Sequence, residues 1–196
     1  SRLLKAANRV GKEVTSILNI EELLPQTVNI ICESYNLYYA GVFLVDEANE
    51  YAVLRAGYGK AGKAMLADGH KLKIGTDSMI GACIALGEAR IALDVGEERV
   101  HFKNPHLPYT RSEMALPLIY GGRALGAVTI QSSEERAFSE DDITTLLTMA
   151  EHLAVAINNA HLITELQEAH AEILRNKVFE ALTTASTEAI HWIGNK

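Results

Sequence analysis

Apolar residues occupy both parities of residues 111–120: Met114, Leu116 and Leu118 fall on one face of an extended chain, Ala115, Pro117 and Ile119 on the other. Such a strand needs cover on both sides of its sheet. A second apolar run, 123–132, follows Gly121-Gly122, a dipeptide that tolerates the positive φ of a two-residue hairpin turn. Ser139, with Asp142 three residues on, supplies a side-chain oxygen for free amides and an acidic residue for the first turn, so a helix is predicted to start there.

The same patterns divide the rest of the chain. Leu3, Ala7, Val10, Val14 and Ile17 recur in steps of four and three, predicting an amphipathic opening helix over 1–18. Arg2, Lys5, Arg9 and Lys12 form a basic stripe beside that seam, either a solvated face or a partner for Glu165, Glu168 and Glu172. Asn19 and Glu22 predict a cap and a second helix over 19–36, carrying Leu23, Leu24, Val28, Ile31 and Cys32 toward a sheet. Residues 38–46 and 51–56 flank a polar turn with Glu47 and Asn49 and predict a hairpin of central strands. A short mobile helix within 57–69, a short strand over 70–74, a helix over 77–86 closed by Gly87 and a strand over 89–93 follow. A loop containing Pro105 and Pro108 precedes the second hairpin, and its length marks it as functional or mobile.

Between Gly126 and Gly194 there is neither Gly nor Pro. After Ser139 that permits about 50 helical residues, roughly 75 Å. A heptad counted from Ile143 puts Ala150, Ile157, Thr164, Ala171, Val178, Ala185 and Trp192 at a, with Leu146, Leu153, Ala160, Gln167, Leu174, Ala181 and Glu188 at d. One small domain cannot cover so long a seam, and a parallel homodimer through the terminal helices is expected. Thr164 and Gln167 interrupt the seam, and residues 183–187 have poor helix propensity, a candidate joint.

Composition removes some function classes. The 196 residues suit one domain with a helical extension, and 48% hydrophobic content can build a core. A net charge of -7 with 18 basic residues argues against a nucleic-acid surface. Cys32 and Cys83 stand at neither metal nor disulfide spacing, which suits a reducing cytoplasm. The longest nearly apolar stretch, 38–45, is too short to span a bilayer, and no signal peptide is evident, so no membrane contact is expected of this segment. The absence of an initiator Met suggests a piece of a larger protein.

The segment 110–142, with its R-S-E start at Arg111, Ser112 and Glu113, its Gly-Gly hairpin and its capped helix, closely resembles the C-terminal half of GAF domains, small sensory modules of signalling proteins. The resemblance extends over residues 19–160. It implies an α+β fold: a central antiparallel sheet covered on both faces and flanked by long N- and C-terminal amphipathic helices, with 1–18 a signalling helix and 161–196 a coiled-coil extension. It also implies a pocket on one sheet face, roofed by the 77–86 helix and the 101–110 loop, for a small-molecule ligand whose identity and any cofactor are unknown. Met79, Cys83, Phe102, Tyr109, Met114 and Leu116 are the expected lining, unless they simply fill the core.

Departures from the family's patterns narrow the ligand. Cyclic-nucleotide-binding members carry an Asn-Lys pair ahead of the Phe and Asp matched here by Phe138 and Asp142, but Gln131 and Ser132 stand in its place. Bilin-binding relatives attach pigment through a loop cysteine, and 101–110 has none. His101 or His106 could offer an axial nitrogen to haem, although a loop histidine is more commonly solvated. The cysteines do not resemble those of methionine sulfoxide-reducing members. Arg111, Ser112 and Glu113 are expected to pin the loop to the sheet edge rather than contact a ligand.

At the chain's end, His191 and Asn195 resemble the H-x-x-x-N pattern around the phosphoacceptor of sensor histidine kinases, with Glu188 placed to take a proton; the plainer reading is a surface histidine beside a packing Trp192. A cytoplasmic sensor module of a histidine kinase is therefore the leading reading, inactive alone because the chain carries no ATP-binding motif. A ligand-free dimerisation or interaction module, and the regulatory domain of a transcription factor or cyclic-nucleotide enzyme, stay open.

Overall fold

The computed structural model describes residues 19–75, 77–96 and 103–194. The expected opening helix, His101, Phe102 and Asn195 lie outside the described residues. Helix α1 (Ile20–Tyr35) begins at Asn19, whose side chain accepts from the Glu21 amide, and ends where Asn36 turns left-handed. The chain then forms β1 (Tyr39–Val45), β2 (Tyr51–Gly57), α2 (Gly59–Ala67), β3 (Lys71–Lys73), α3 (Met79–Leu86), β4 (Arg90–Ala92), β5 (Ser112–Tyr120), β6 (Arg123–Ser132) and α4 (Glu140–Gly194). The expected elements within 19–194 are present, with edges moved by a few residues.

The strands form one sheet in the order β3-β2-β1-β6-β5-β4, with every neighbouring pair antiparallel. Gly121 and Gly122 both take positive φ, 59° and 77°, closing the β5–β6 hairpin between Tyr120 and Arg123. Left-handed backbone at both central positions is what a two-residue turn needs to follow the strand twist. Gly126 serves close approach instead: a Cβ there would lie 2.0 Å from the Phe43 carbonyl on β1.

Each face of the sheet has its own core. One is covered by α1 and the first half of α4, where Leu24, Ile31, Leu146, Met149 and Leu153 meet Val42, Met114, Leu116, Leu118, Val128 and Ile130. The other is covered by α2, α3 and the segment before β5, where Met65, Met79, Ile80, Cys83 and Leu107 meet Tyr39, Phe43, Leu54, Ala115 and Ala127. A bulge at Arg55 switches parity in β2: Leu54 joins the second core and Ala56 the first. Arg55 points outward to Glu21 at 2.8 Å.

Helix α4 starts on reciprocal bonds. The Ser139 amide donates to Asp142 Oδ2 at 2.9 Å, and the Asp142 amide to Ser139 Oγ at 3.2 Å. The helix is 55 residues long and runs without interruption through Thr183 and Thr187, whose hydroxyls donate to carbonyls one turn back. The expected joint at 183–187 is thus continuous helix. Ala160 is the last buried residue of α4, and the remainder projects beyond the sheet.

Candidate functional site

Strand register builds the floor of a small recess on the face covered by α2 and α3. Across β1, β6 and β5, Tyr39, Gln131 and Glu113 stand in one cross-strand row, and Gly41, Thr129 and Ala115 in the next. A row of polar side chains thus lies beside a row of small ones. Met65, Ser78, Met79, Ile80, Asn104 and Leu107 close the space from above. Its volume is about 30 Å³, room for a water molecule.

Inside, Glu113 Oε1 accepts from the Thr129 hydroxyl at 2.8 Å and from Gln131 Nε2 at 3.2 Å. Thr110 donates to Gln131 Oε1 at 2.6 Å, which ties the incoming loop to the floor. Glu113 is 6% exposed, so a carboxylate sits in the sheet's interior on side-chain donors. The Tyr39 hydroxyl is buried with no hydrogen-bond partner. It lies over Gly41 and Gly57, where a Cβ would come within 2.7 and 2.6 Å of it. Burial first, then the nearby Cys32 and Glu113, push its phenol above the ordinary tyrosine range.

The roof is held at its rim. Asn104 Nδ2 lies 3.0 Å from Met65 Sδ on α2, and His106 Nε2 lies 3.1 Å from Asp68 Oδ2 just beyond that helix. His106 is therefore turned to the surface and does not line the recess. His70, edge-on to Phe43 at 5.9 Å, is held below the usual histidine range by burial and then by His106.

The expected lining divides. Met79 lines the recess, and Cys83 lies on the same face with its thiol 3.4 Å from the Ala115 carbonyl. Met114 and Leu116 do not belong there: alternation along β5 turns them into the α1–α4 core, leaving Glu113 and Ala115 on the recess side. Tyr109 is 70% exposed, its ring edge against Tyr38 with centroids 6.3 Å apart, so it is outside the recess as well. Phe102 falls outside the described residues.

The R-S-E start also divides. Arg111 pairs with Glu135, and Ser112 Oγ donates to the Glu134 carbonyl at 2.7 Å, so these two pin the strand as expected. Glu113 instead turns inward. With Tyr39, Thr110, Thr129 and Gln131 it makes up the polar site that the sequence reading missed. The available signal was the period-2 parity shared by Glu113 with Ala115 and by Thr129 and Gln131 with Ala127.

Phe138 is buried in the core beneath α4 and Asp142 caps that helix, both on the far side of the sheet from the recess. Cys32 and Cys83 are buried and free, and burial pushes each thiol up to about 12, so at neutral pH neither is a thiolate. Among the described residues no cluster of His, Cys, Asp or Glu could hold a metal, and no helix is long and apolar enough to cross a membrane. His191 is exposed near the far end of α4, as is Trp192, which does not pack into the core.

An antiparallel sheet covered on both faces, with a small roofed recess on one and a long helix on the other, defines an α+β domain. The family model for the GAF domain matches residues 18–158, and the chain belongs to that family. Three solved structures show the likeness. The GAF domain of a phosphoenolpyruvate-protein phosphotransferase from Coxiella burnetii is 25% identical, with a TM-score of 0.75, covering 84% of this chain and 97% of that one. The corresponding Acinetobacter domain is 20% identical, with a TM-score of 0.71 over 84% and 98%. Free methionine-R-sulfoxide reductase from Neisseria meningitidis, in complex with its substrate, is 20% identical, with a TM-score of 0.71 over 82% and 91%. The search among curated proteins gave no match.

Proposed function

We propose that this chain is the cytoplasmic sensory module of a multidomain histidine kinase, in which the state of the Glu113 recess biases the packing of α4 in a parallel homodimer and hence the presentation of His191. The observation that carries this reading is the alternation of β5. Glu113 and Ala115 face the recess, while Met114 and Leu116, one residue on in each case, pack in the core under α4. A ligand drawing Glu113 toward itself moves the backbone on which α4 rests.

The recess suits a small molecule with hydrogen-bond donors, which the carboxylate, the Gln131 amide and the unpartnered Tyr39 hydroxyl would receive. Anything larger than water enters by lifting the 103–110 roof, whose ties to Met65 and Asp68 lie at its rim. Such a ligand shifts the helix equilibrium only by its difference in affinity for the two packings, of the order of 1–3 kcal/mol for typical couplings. The recess volume of about 30 Å³ favours one competing reading, a ligand-free interaction module whose pocket is filled by its own side chains.

His191 lies 31 residues beyond Ala160, about 45 Å along the helix. There a ring nitrogen would attack the γ-phosphorus of ATP held by a catalytic domain outside this chain. An N–P bond forms, the bond to the bridging oxygen breaks with ADP leaving, and the ring proton passes to a base such as Glu188. In the kinase that contains this chain, incubation with labelled ATP should give acid-labile phosphate that is lost in His191→Asn and kept in His161→Asn. Undiminished labelling of His191→Asn would sink the kinase reading.

A further inference from the structure

The heptad counted from Ile143 cannot be the dimer seam over the domain, because Leu146, Ala150, Leu153, Ile157 and Ala160 are buried against the chain's own sheet. A second apolar line runs along α4. At 100° per residue, Val155, Leu162, Leu166 and Ile173 fall within about 40° of one another, on the side opposite that core. They are 41%, 55%, 70% and 53% exposed. The helix stands between Val155 and the sheet, and Leu162, Leu166 and Ile173 lie on the part of α4 that projects beyond it.

We infer that this outward line is the interface with a second copy of the chain, in parallel and in register. The inference rests on the dimer reading above and says which face of α4 forms the contact. Placing Leu166 and Ile173 at a positions makes Val155, Leu162 and Ala169 d positions and puts Asn159 at a, where one asparagine favours a two-stranded, in-register pair. The flanks then follow from the sequence. Glu165 and Glu172 become g positions, His170 and Lys177 e positions, and all four are exposed. In a parallel pair g meets the e position five residues on in the other helix, so Glu165 faces His170 of the second copy and Glu172 faces Lys177 of the second copy. An antiparallel pair would set glutamate against glutamate. The Glu172–Lys177 pair, repeated on both sides of one apolar line by the two-fold and at the spacing that only parallel pairing uses, is what commits the surface to a second copy.

Cysteine scanning in the 196-residue chain tests this. Leu162→Cys and Ile173→Cys should each oxidise to disulfide-linked dimers, because facing a or d positions bring Cα atoms within disulfide reach. Leu174→Cys, on the seam counted from Ile143, should not, and the unsubstituted protein, whose two thiols are buried, is the control. Glu172→Lys should weaken association in sedimentation equilibrium by about fivefold, and adding Lys177→Glu should restore it. Dimers that cross-link through Leu174→Cys but not Leu162→Cys would overturn the outward seam while leaving the dimer reading intact. Cross-linking at only one of Leu162→Cys and Ile173→Cys would overturn parallel pairing. A monomer at every concentration, with no cross-link at any position, would overturn both.

Discussion

Leu153→Ala should lower the unfolding free energy by about 3 kcal/mol and the thermal midpoint by roughly 10 °C. Leu153 is fully buried in the first half of α4, in the core that holds Met114, Leu116, Val128 and Ile130. Truncation removes apolar burial and leaves a cavity between a long helix and a twisted sheet, neither of which can collapse far into it. A domain stable by roughly 5–15 kcal/mol would lose a large share of its margin. Leu182→Ala on the same helix is the control: Leu182 is 63% exposed beyond the domain, and its loss should change stability by no more than about 0.5 kcal/mol. Equal effects of the two substitutions in calorimetry would mean that α4 is not docked by its first half alone.

Glu113→Ala should cost about 2 kcal/mol, although it removes a charge from the interior. The loss comes from the neighbours. Thr129 Oγ1 and Gln131 Nε2 both donate to this carboxylate, and without it both buried donors lose their acceptor, with at most a water in the recess to take its place. Glu113→Gln keeps an oxygen for Thr129 and should cost about half as much. Urea unfolding of the pair distinguishes them, and an alanine variant as stable as the parent would show that the row is not held by these bonds.

What could be read from the sequence follows from how local each signal is. The Gly121-Gly122 turn, the Asn19 and Ser139 caps and the Gly87 helix stop are decided within four residues of backbone, and all four stand where the pattern put them. The recess was not legible in the same way. In a strand apolar on both parities, periodicity shows that both faces are covered but not which face carries which cover, so it cannot separate Met114 and Leu116 from the side that Glu113 occupies. Glu113 was hidden for a related reason: beside Arg111 and Ser112 it reads as one of a surface charge group, and only the pairing with Gln131 and Thr129 on β6 turns it inward. The helix seam failed by competition. The heptad from Ile143 is real, but the sheet of the same chain takes it up as far as Ala160.

In the proposed function the recess and α4 communicate through β5 and β6. Thr129→Val tests it with nearly constant volume, removing a hydroxyl from the recess floor at a residue 2% exposed that faces away from α4. Helix α1 supplies the internal reference, since it packs on β1 and β2 whereas α4 packs on β5. Amide hydrogen exchange should show α4 amides between Leu146 and Ile157 losing more protection in Thr129→Val than those between Leu23 and Cys32. An equal shift in both helices, or none in α4, would contradict the coupling.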